Sequence, residues 1–179
     1  MAHLEQVDFC KGVRRRFPAY FRKTRVLDVG SLDINGNNRY LFRPHILRRC
    51  RYVGLDLGPG PNVDVVTPVH LYDAPDASFD MVISTEAFEH DRHLEHSLRR
   101  IVELLRPRGL LVFTCATTGR PEHGTARTTP TDSPHSQDFY RNVTAKDIRA
   151  AIDVDEVFMR HEFSVEDSTH DLRFFGVKW

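Results

Sequence analysis

The run Val26-Leu27-Asp28-Val29-Gly30, answered one strand later by Asp56, constrains this chain more than any other feature. A short apolar run that stops at a glycine reads as a buried strand, Arg25–Gly30. Arg51–Leu57 repeats the pattern and also ends near an acid. Asn62–Val66, Phe79–Ser84 and Leu110–Cys115 read as the third, fourth and fifth strands. Between the last two, Asp91–Leu105 sets Leu94, Leu98, Ile101, Val102 and Leu105 on one helical face, and Pro107-Arg108-Gly109 stops the helix. Short apolar strands alternating with amphipathic segments predict an α/β, doubly wound sheet.

The flanks fit this plan. Residues 4–22 read as an amphipathic helix ending near Pro18 or shortly after it. Residues 116–137 are polar and without periodicity, a loop long enough to be functional or disordered. Thr144 and Asp147 resemble a capping pair for a helix to about Ile152. Residues 155–165 and 170–178 read as two final strands in a hairpin.

A chain of 179 residues suits one domain over its whole length. Lys+Arg and Asp+Glu both number 25, so no general field attracts nucleic acid or an anionic membrane. Cys10, Cys50 and Cys115 are odd in number and form no C-x-x-C pair, which points to reduced thiols and a cytoplasmic setting. Met1-Ala2-His3-Leu4-Glu5 has no apolar signal core, and no run approaches membrane-spanning length.

In an open parallel sheet, ligands bind beyond the carboxyl ends of the strands, where the strand order reverses. Gly30 allows the chain to turn close to a ligand there. Asn35-Gly36 supplies a second flexible turn. Asp56 suits both hydroxyls of a ribose, a charge-assisted contact. Dinucleotides and S-adenosylmethionine both use this plan. Gly30 is followed by Ser31-Leu32, so the G-x-G-x-x-G cradle for a pyrophosphate is absent. S-adenosylmethionine carries no phosphate and needs only the first-strand acid, the glycine bend and the ribose acid.

The stretches VLDVGSLDINGNNR (26–39), YVGLDLGPGPNVDVV (52–66), SFDMVISTEAFEHD (78–91) and LLRPRGLLVFTCA (104–116) carry a family resemblance. The chain resembles class I S-adenosylmethionine-dependent methyltransferases, in the type 11-like group whose fourth strand leads into a Glu-His pair. The resemblance implies a Rossmann-like sheet of about seven strands with one antiparallel strand, in agreement with the final hairpin. It places Asp28 and Gly30 against the cofactor, Asp56 on the ribose and Leu57 on the adenine. Where relatives have a second glycine, this chain has Leu32, and Ser31 and Asn35 offer polar contacts to the methionine end. Where many relatives have an acid beside the adenine-reading amide, this chain has Pro68, leaving the Val69 amide alone. Thr85 and Glu86 complete the expected cofactor set.

Methyl transfer from a sulfonium is an in-line displacement, helped by positioning and, for a hydroxyl acceptor, by removal of a proton. Glu86, Glu89, His90, His123, Asp138 and Tyr140 lie where such a base would be needed. His90 leads as base or substrate contact, with a helix-capping role for Glu89-His90 as its counterpart. His123, Tyr140 and Arg141 are expected to meet the acceptor from a lid spanning 116–142, against the alternative of a mobile surface loop. His90, Asp91, His93 and His96 hold no metal-binding spacing, so no metal is expected. The basic run Lys11, Arg14, Arg15, Arg16, Arg22, Lys23 and Arg25 alternates with Val13, Phe17 and Phe21, which fits a helix covering the cofactor or sheet edge. The expected function is methylation of a small-molecule acceptor, of saccharide or natural-product type, at oxygen. A catalytically inactive S-adenosylmethionine-binding protein and an RNA methyltransferase using the basic helix stand as alternatives. A monomer or homodimer, without membrane or nucleic-acid partner, is the expected state.

Overall fold

The computed structural model describes residues 4–42 and 50–179; Met1–His3, at the head of the N-terminal segment, lie outside them, as do 43–49. Seven strands form a single sheet in the order β3-β2-β1-β4-β5-β7-β6. They are β1 (Arg25–Val29), β2 (Arg51–Asp56), β3 (Val65–Val66), β4 (Phe79–Thr85), β5 (Leu105–Ala116), β6 (Phe158–Glu166) and β7 (Asp171–Lys178). The first five run parallel, and β7 is antiparallel to both β5 and β6. The doubly wound α/β sheet with its C-terminal hairpin is therefore present.

Alternation along the central strands explains the two apolar layers. Val26, Met81, Ile83, Leu110 and Val112 face one side, where α1 (Leu4–Arg16) packs Cys10 and Val13 against them. Leu27, Val29, Val82, Leu111 and Phe113 face the other, under α2 (Leu94–Leu104) and α3 (Ala145–Ala151). Leu98, Ile101 and Leu104 on α2 are wholly buried. Each such side chain stabilises the fold by roughly 2 kcal/mol relative to exposure. Among the described residues, no helix is long and apolar enough to cross a membrane.

Several boundaries differ from those expected of the sequence, each for a local reason. The first helix ends at Arg16 because Pro18 opens a separate 3-10 turn, Pro18–Phe21. The third strand shrinks to two residues. Asn62 adopts φ 71°, and at Asp64 the backbone N–H donates to the Gly54 carbonyl at 2.8 Å while its carboxylate, not its carbonyl, takes the Gly54 N–H at 2.7 Å, so regular pairing starts only at Val65. The Asp91 carboxylate accepts the His93 N–H at 2.7 Å and holds a turn, so α2 starts only at Leu94. Pro107-Arg108-Gly109 does not separate helix from strand. Instead, β5 begins at Leu105 opposite Phe79, and residues 106–109 bulge before pairing resumes between Met81 and Leu110. The strand expected from 155 is delayed to Phe158. Asp153 caps a short helix, α4 (Val154–Val157), by accepting the N–H groups of Asp155 and Glu156 at 3.2 and 3.1 Å. The Thr144–Asp147 capping box is formed at α3, as its sequence suggests.

Candidate active site

The strand order reverses between β1 and β4, and a cavity of about 370 Å3 opens at the carboxyl ends there. Asp28, Gly30, Ser31, Leu32, Asn35, Asp56, Leu57, Val69, Thr85, Glu86 and His90 all line it. The residues expected to hold a cofactor are thus gathered in one place from separate segments of chain.

The two acids have different environments. Asp28 is buried at the end of β1 and accepts a hydrogen bond from the Tyr52 hydroxyl. Burial pushes its carboxyl up to about 7; the Tyr52 hydrogen bond opposes this and the nearby Asp56 charge adds to it. Asp56 is held open to the cavity by two backbone donors, Leu32 N–H at 2.9 Å and Leu57 N–H at 2.7 Å. The non-glycine residue at 32 thus contributes through its backbone. Each carboxylate oxygen of Asp56 keeps a further lone pair for a ligand hydroxyl.

Gly30 sits at φ +75°, and a Cβ there would stand 2.3 Å from the Ala87 Cβ, so this bend admits no larger residue without movement. The Ser31 hydroxyl is turned to the Asn62 carbonyl at 3.2 Å, while Asn62 donates to the Ser31 carbonyl at 2.8 Å. Ser31 thereby braces the loop as well as lining the cavity. A polar relay ties the loop to the N-terminal helix: Gln6 donates to Asn38 at 3.3 Å, and Asn38 donates to Thr85 at 2.9 Å. The N-terminal helix therefore supports the cavity wall from behind. Past β4, Glu86 adopts φ 52°, a strained conformation for a residue with a Cβ. Thr114 holds it there, its hydroxyl donating to Glu86 Oε1 at 2.8 Å and its carbonyl accepting the Glu86 N–H at 2.9 Å.

The polar loop folds over the cavity at one stretch. Residues 132–137 line it, and His135 reaches across to Gly58 beyond β2. His123, Tyr140 and Arg141 lie elsewhere. Among the described residues they are not on the cavity wall but behind His90. The His123 ring stands 5.3 Å from that of His90 and 4.9 Å from that of Tyr140. The Tyr140 hydroxyl donates to Asn142 Oδ1 at 2.7 Å, and Arg141 turns its guanidinium to Asp147 at 3.4 Å.

Glu89 is the residue at the centre of this second cluster. It is wholly buried, and neither carboxylate oxygen has a hydrogen-bond partner among the described residues. His123 Nε2 approaches Oε1 at 3.7 Å, an ion-pair distance beyond hydrogen-bond reach. Burial pushes the Glu89 carboxyl up, but His123 and then His90 outweigh it and hold it below the usual range. Burial pulls His123 down, but Glu89 and the Pro121 carbonyl outweigh it, so its imidazole protonates more readily than usual. His90 goes the other way: burial lowers it, against the pull of Glu89 and the Phe139 carbonyl. Its Nδ1 lies 3.0 Å from that carbonyl. In the sequence Glu89 is one acid among several, and His135 carries no signal distinguishing it from a solvated loop histidine.

The sequence matches the family described as a methyltransferase domain over residues 1–170. No curated protein matches it in sequence. Solved structures share the fold at low identity. The Burkholderia thailandensis 1,6-didemethyltoxoflavin-N1-methyltransferase, with 1,6-didemethyltoxoflavin and S-adenosylhomocysteine bound, is 16% identical with a TM-score of 0.60, over 99% of this chain and 92% of that one. A Haemonchus contortus phosphoethanolamine N-methyltransferase 2 in complex with S-adenosyl-L-methionine is 16% identical with a TM-score of 0.68, over 96% of this chain and 52% of that one. The CurJ carbon methyltransferase is 15% identical with a TM-score of 0.63, over 94% and 52%. This chain spans about half the length of the latter two.

Proposed function

This chain belongs to the methyltransferase-domain family, and from that premise we propose that it moves the methyl group of S-adenosylmethionine to an oxygen of a small-molecule acceptor, of saccharide or natural-product type. The observation that carries this reading is one cavity lined by both Asp56 and His90 and roofed by residues 132–137.

In this reading Asp56 accepts hydrogen bonds from the ribose hydroxyls, while Leu57 and Val69 border the adenine. Asp28, Gly30, Ser31, Leu32 and Asn35 surround the methionine end, with Thr85 and Glu86 between that end and the acceptor. Such a roof excludes water from a reactive sulfonium. His90 meets the acceptor. With the Phe139 carbonyl beside its Nδ1, the tautomer that donates from Nδ1 leaves Nε2 free to take a proton. A base placed this way contributes roughly 100- to 10,000-fold to such a step. His123 and Tyr140 support His90 from behind, and residues 1–179 act as one unit.

Calorimetry with S-adenosylmethionine tests the cofactor half. Asp56→Ala should weaken binding about a hundredfold, the effect of losing a charged partner to two hydroxyls. No binding by the native chain would sink the reading. A panel of hydroxylated acceptors, scored by mass for a product one methylene heavier, tests the other half. His90→Ala should then lower kcat with cofactor affinity kept, and an unchanged kcat removes His90 from the chemistry.

A further inference from the structure

We propose that Glu89, His90 and His123 form a binding site for a divalent transition-metal ion of the zinc type. Three observations converge on it. One ligand atom from each residue lies within 4.8 Å of the others. A tetrahedral ion with bonds near ~2.1 Å holds its donors roughly 3.5 Å apart, so closing the cluster on an ion takes small side-chain shifts.

The Glu89 carboxylate is wholly buried with no hydrogen-bond partner among the described residues on either oxygen. A carboxylate in that state is strongly destabilising unless a charge compensates it. His123 supplies that charge at 3.7 Å, an ion pair beyond hydrogen-bond reach that leaves the carboxylate oxygens without a direct partner among the described residues. A cation bound among the three would meet the Glu89 carboxylate through at least one oxygen.

The histidines are oriented as ligands are. Nδ1 of His90 lies 3.0 Å from the Phe139 carbonyl, and Nδ1 of His123 lies 3.2 Å from the Pro121 carbonyl. A backbone acceptor on Nδ1 fixes the tautomer whose Nε2 carries the lone pair, the usual support of metal-bound imidazole. Two imidazoles with one carboxylate favour zinc, cobalt or iron(II) over calcium or magnesium, which prefer oxygen alone. His90 borders the cavity, so a fourth position on the ion would open there.

The site goes beyond the base reading of His90 and bears on it. One Nε2 lone pair cannot hold an ion and take a proton, so an occupied site would inhibit methyl transfer. The binding test uses neither cofactor nor acceptor, so its failure and the failure of the base reading are separate events.

Full-length protein stripped with a chelator is titrated with Co2+, read by its ligand-field absorption, and with Zn2+ in competition with a chromogenic chelator. The expected result is one ion per chain with micromolar or tighter affinity. Glu89→Gln and His123→Ala should each weaken it at least tenfold, while His161→Ala, on β6, leaves it unchanged. No ligand-field band with no zinc retention, or retention unmoved by both ligand variants, overturns the proposal. If Glu89→Gln fails to fold, the less buried His123→Ala decides alone.

Discussion

The imidazole of His135 lies against Gly58, so closely that a Cβ built on the glycine would stand 2.3 Å from its Cδ2 and Cγ. This contact joins the roof of the cavity to the segment just beyond Asp56. Gly58→Ala should lift His135 and loosen residues 132–137 without unfolding the sheet. Hydrogen exchange across 132–137 should rise, and S-adenosylhomocysteine should dissociate about tenfold faster, as expected when a closing loop is weakened. His135→Ala should do the same, and the double variant should add little to either. Full additivity would mean that the two residues do not act through their contact.

Asp28 makes a second prediction, on stability. Its folded carboxyl sits at about 7, against an ordinary value of 3.8. A raised acid favours the protonated native state. Below the ordinary value both folded and unfolded chains hold the proton, and the group has no effect. As pH climbs from about 4 to 7 the unfolded chain ionises first, so stability falls by roughly 4 kcal/mol at most and then levels off. Asp28→Asn, which mimics the protonated acid, should flatten that slope in urea unfolding measured across the window. An equal slope in the variant would assign the effect to other groups.

Much of this site is legible in the sequence because its acids and glycine stand at the ends of short apolar strands, of which β1 is buried along nearly its whole length. Val26–Gly30 and Phe79–Ser84 stand out as apolar runs, and the sheet itself places the residues at the carboxyl end of each parallel strand. The shortness of β3 is not legible, since it depends on Asp64 reaching back to Gly54. Nor is the roof, because His135 meets Gly58 only once the loop has folded. The expectation of no metal rests on His90, Asp91, His93 and His96, neighbours on one segment. The proposed cluster takes His123 from within the polar loop, and only the fold brings it to Glu89. The lid residues read as one group for the same reason: sequence does not tell which part of 116–142 faces the cavity and which part backs His90.

Phe113 links the core to the site. It is wholly buried on β5, its ring 5.0 Å from Phe174 and 5.1 Å from Phe88. Phe88 immediately precedes Glu89 and His90. Phe113→Ala should cost about 3–5 kcal/mol, the effect of a large aromatic cavity. Phe113→Leu should cost less and fold well enough for kinetics. In that variant kcat should fall more than cofactor affinity, because the vacancy lies under Phe88 rather than under Asp56. The opposite split would show that the packing supports the cofactor end instead.

The Asp28 carboxyl also sets a pH dependence for cofactor binding. S-adenosylmethionine and S-adenosylhomocysteine both carry an ammonium at the methionine end, where Asp28 is proposed to lie. An ammonium beside it favours the ionised acid, so binding near pH 6 must expel a proton from Asp28. Affinity should therefore rise between pH 6 and 8 and flatten above the carboxyl's folded value of about 7. Calorimetry in buffers of different ionisation enthalpy should detect close to one proton released at pH 6 and almost none at pH 8. The Tyr52 hydroxyl, by its hydrogen bond, holds the carboxyl lower than burial alone would. Tyr52→Phe should move the rise to higher pH and weaken binding at pH 7, with little change at pH 9. Proton release that is independent of pH, or unaltered in Tyr52→Phe, would take Asp28 away from the ammonium.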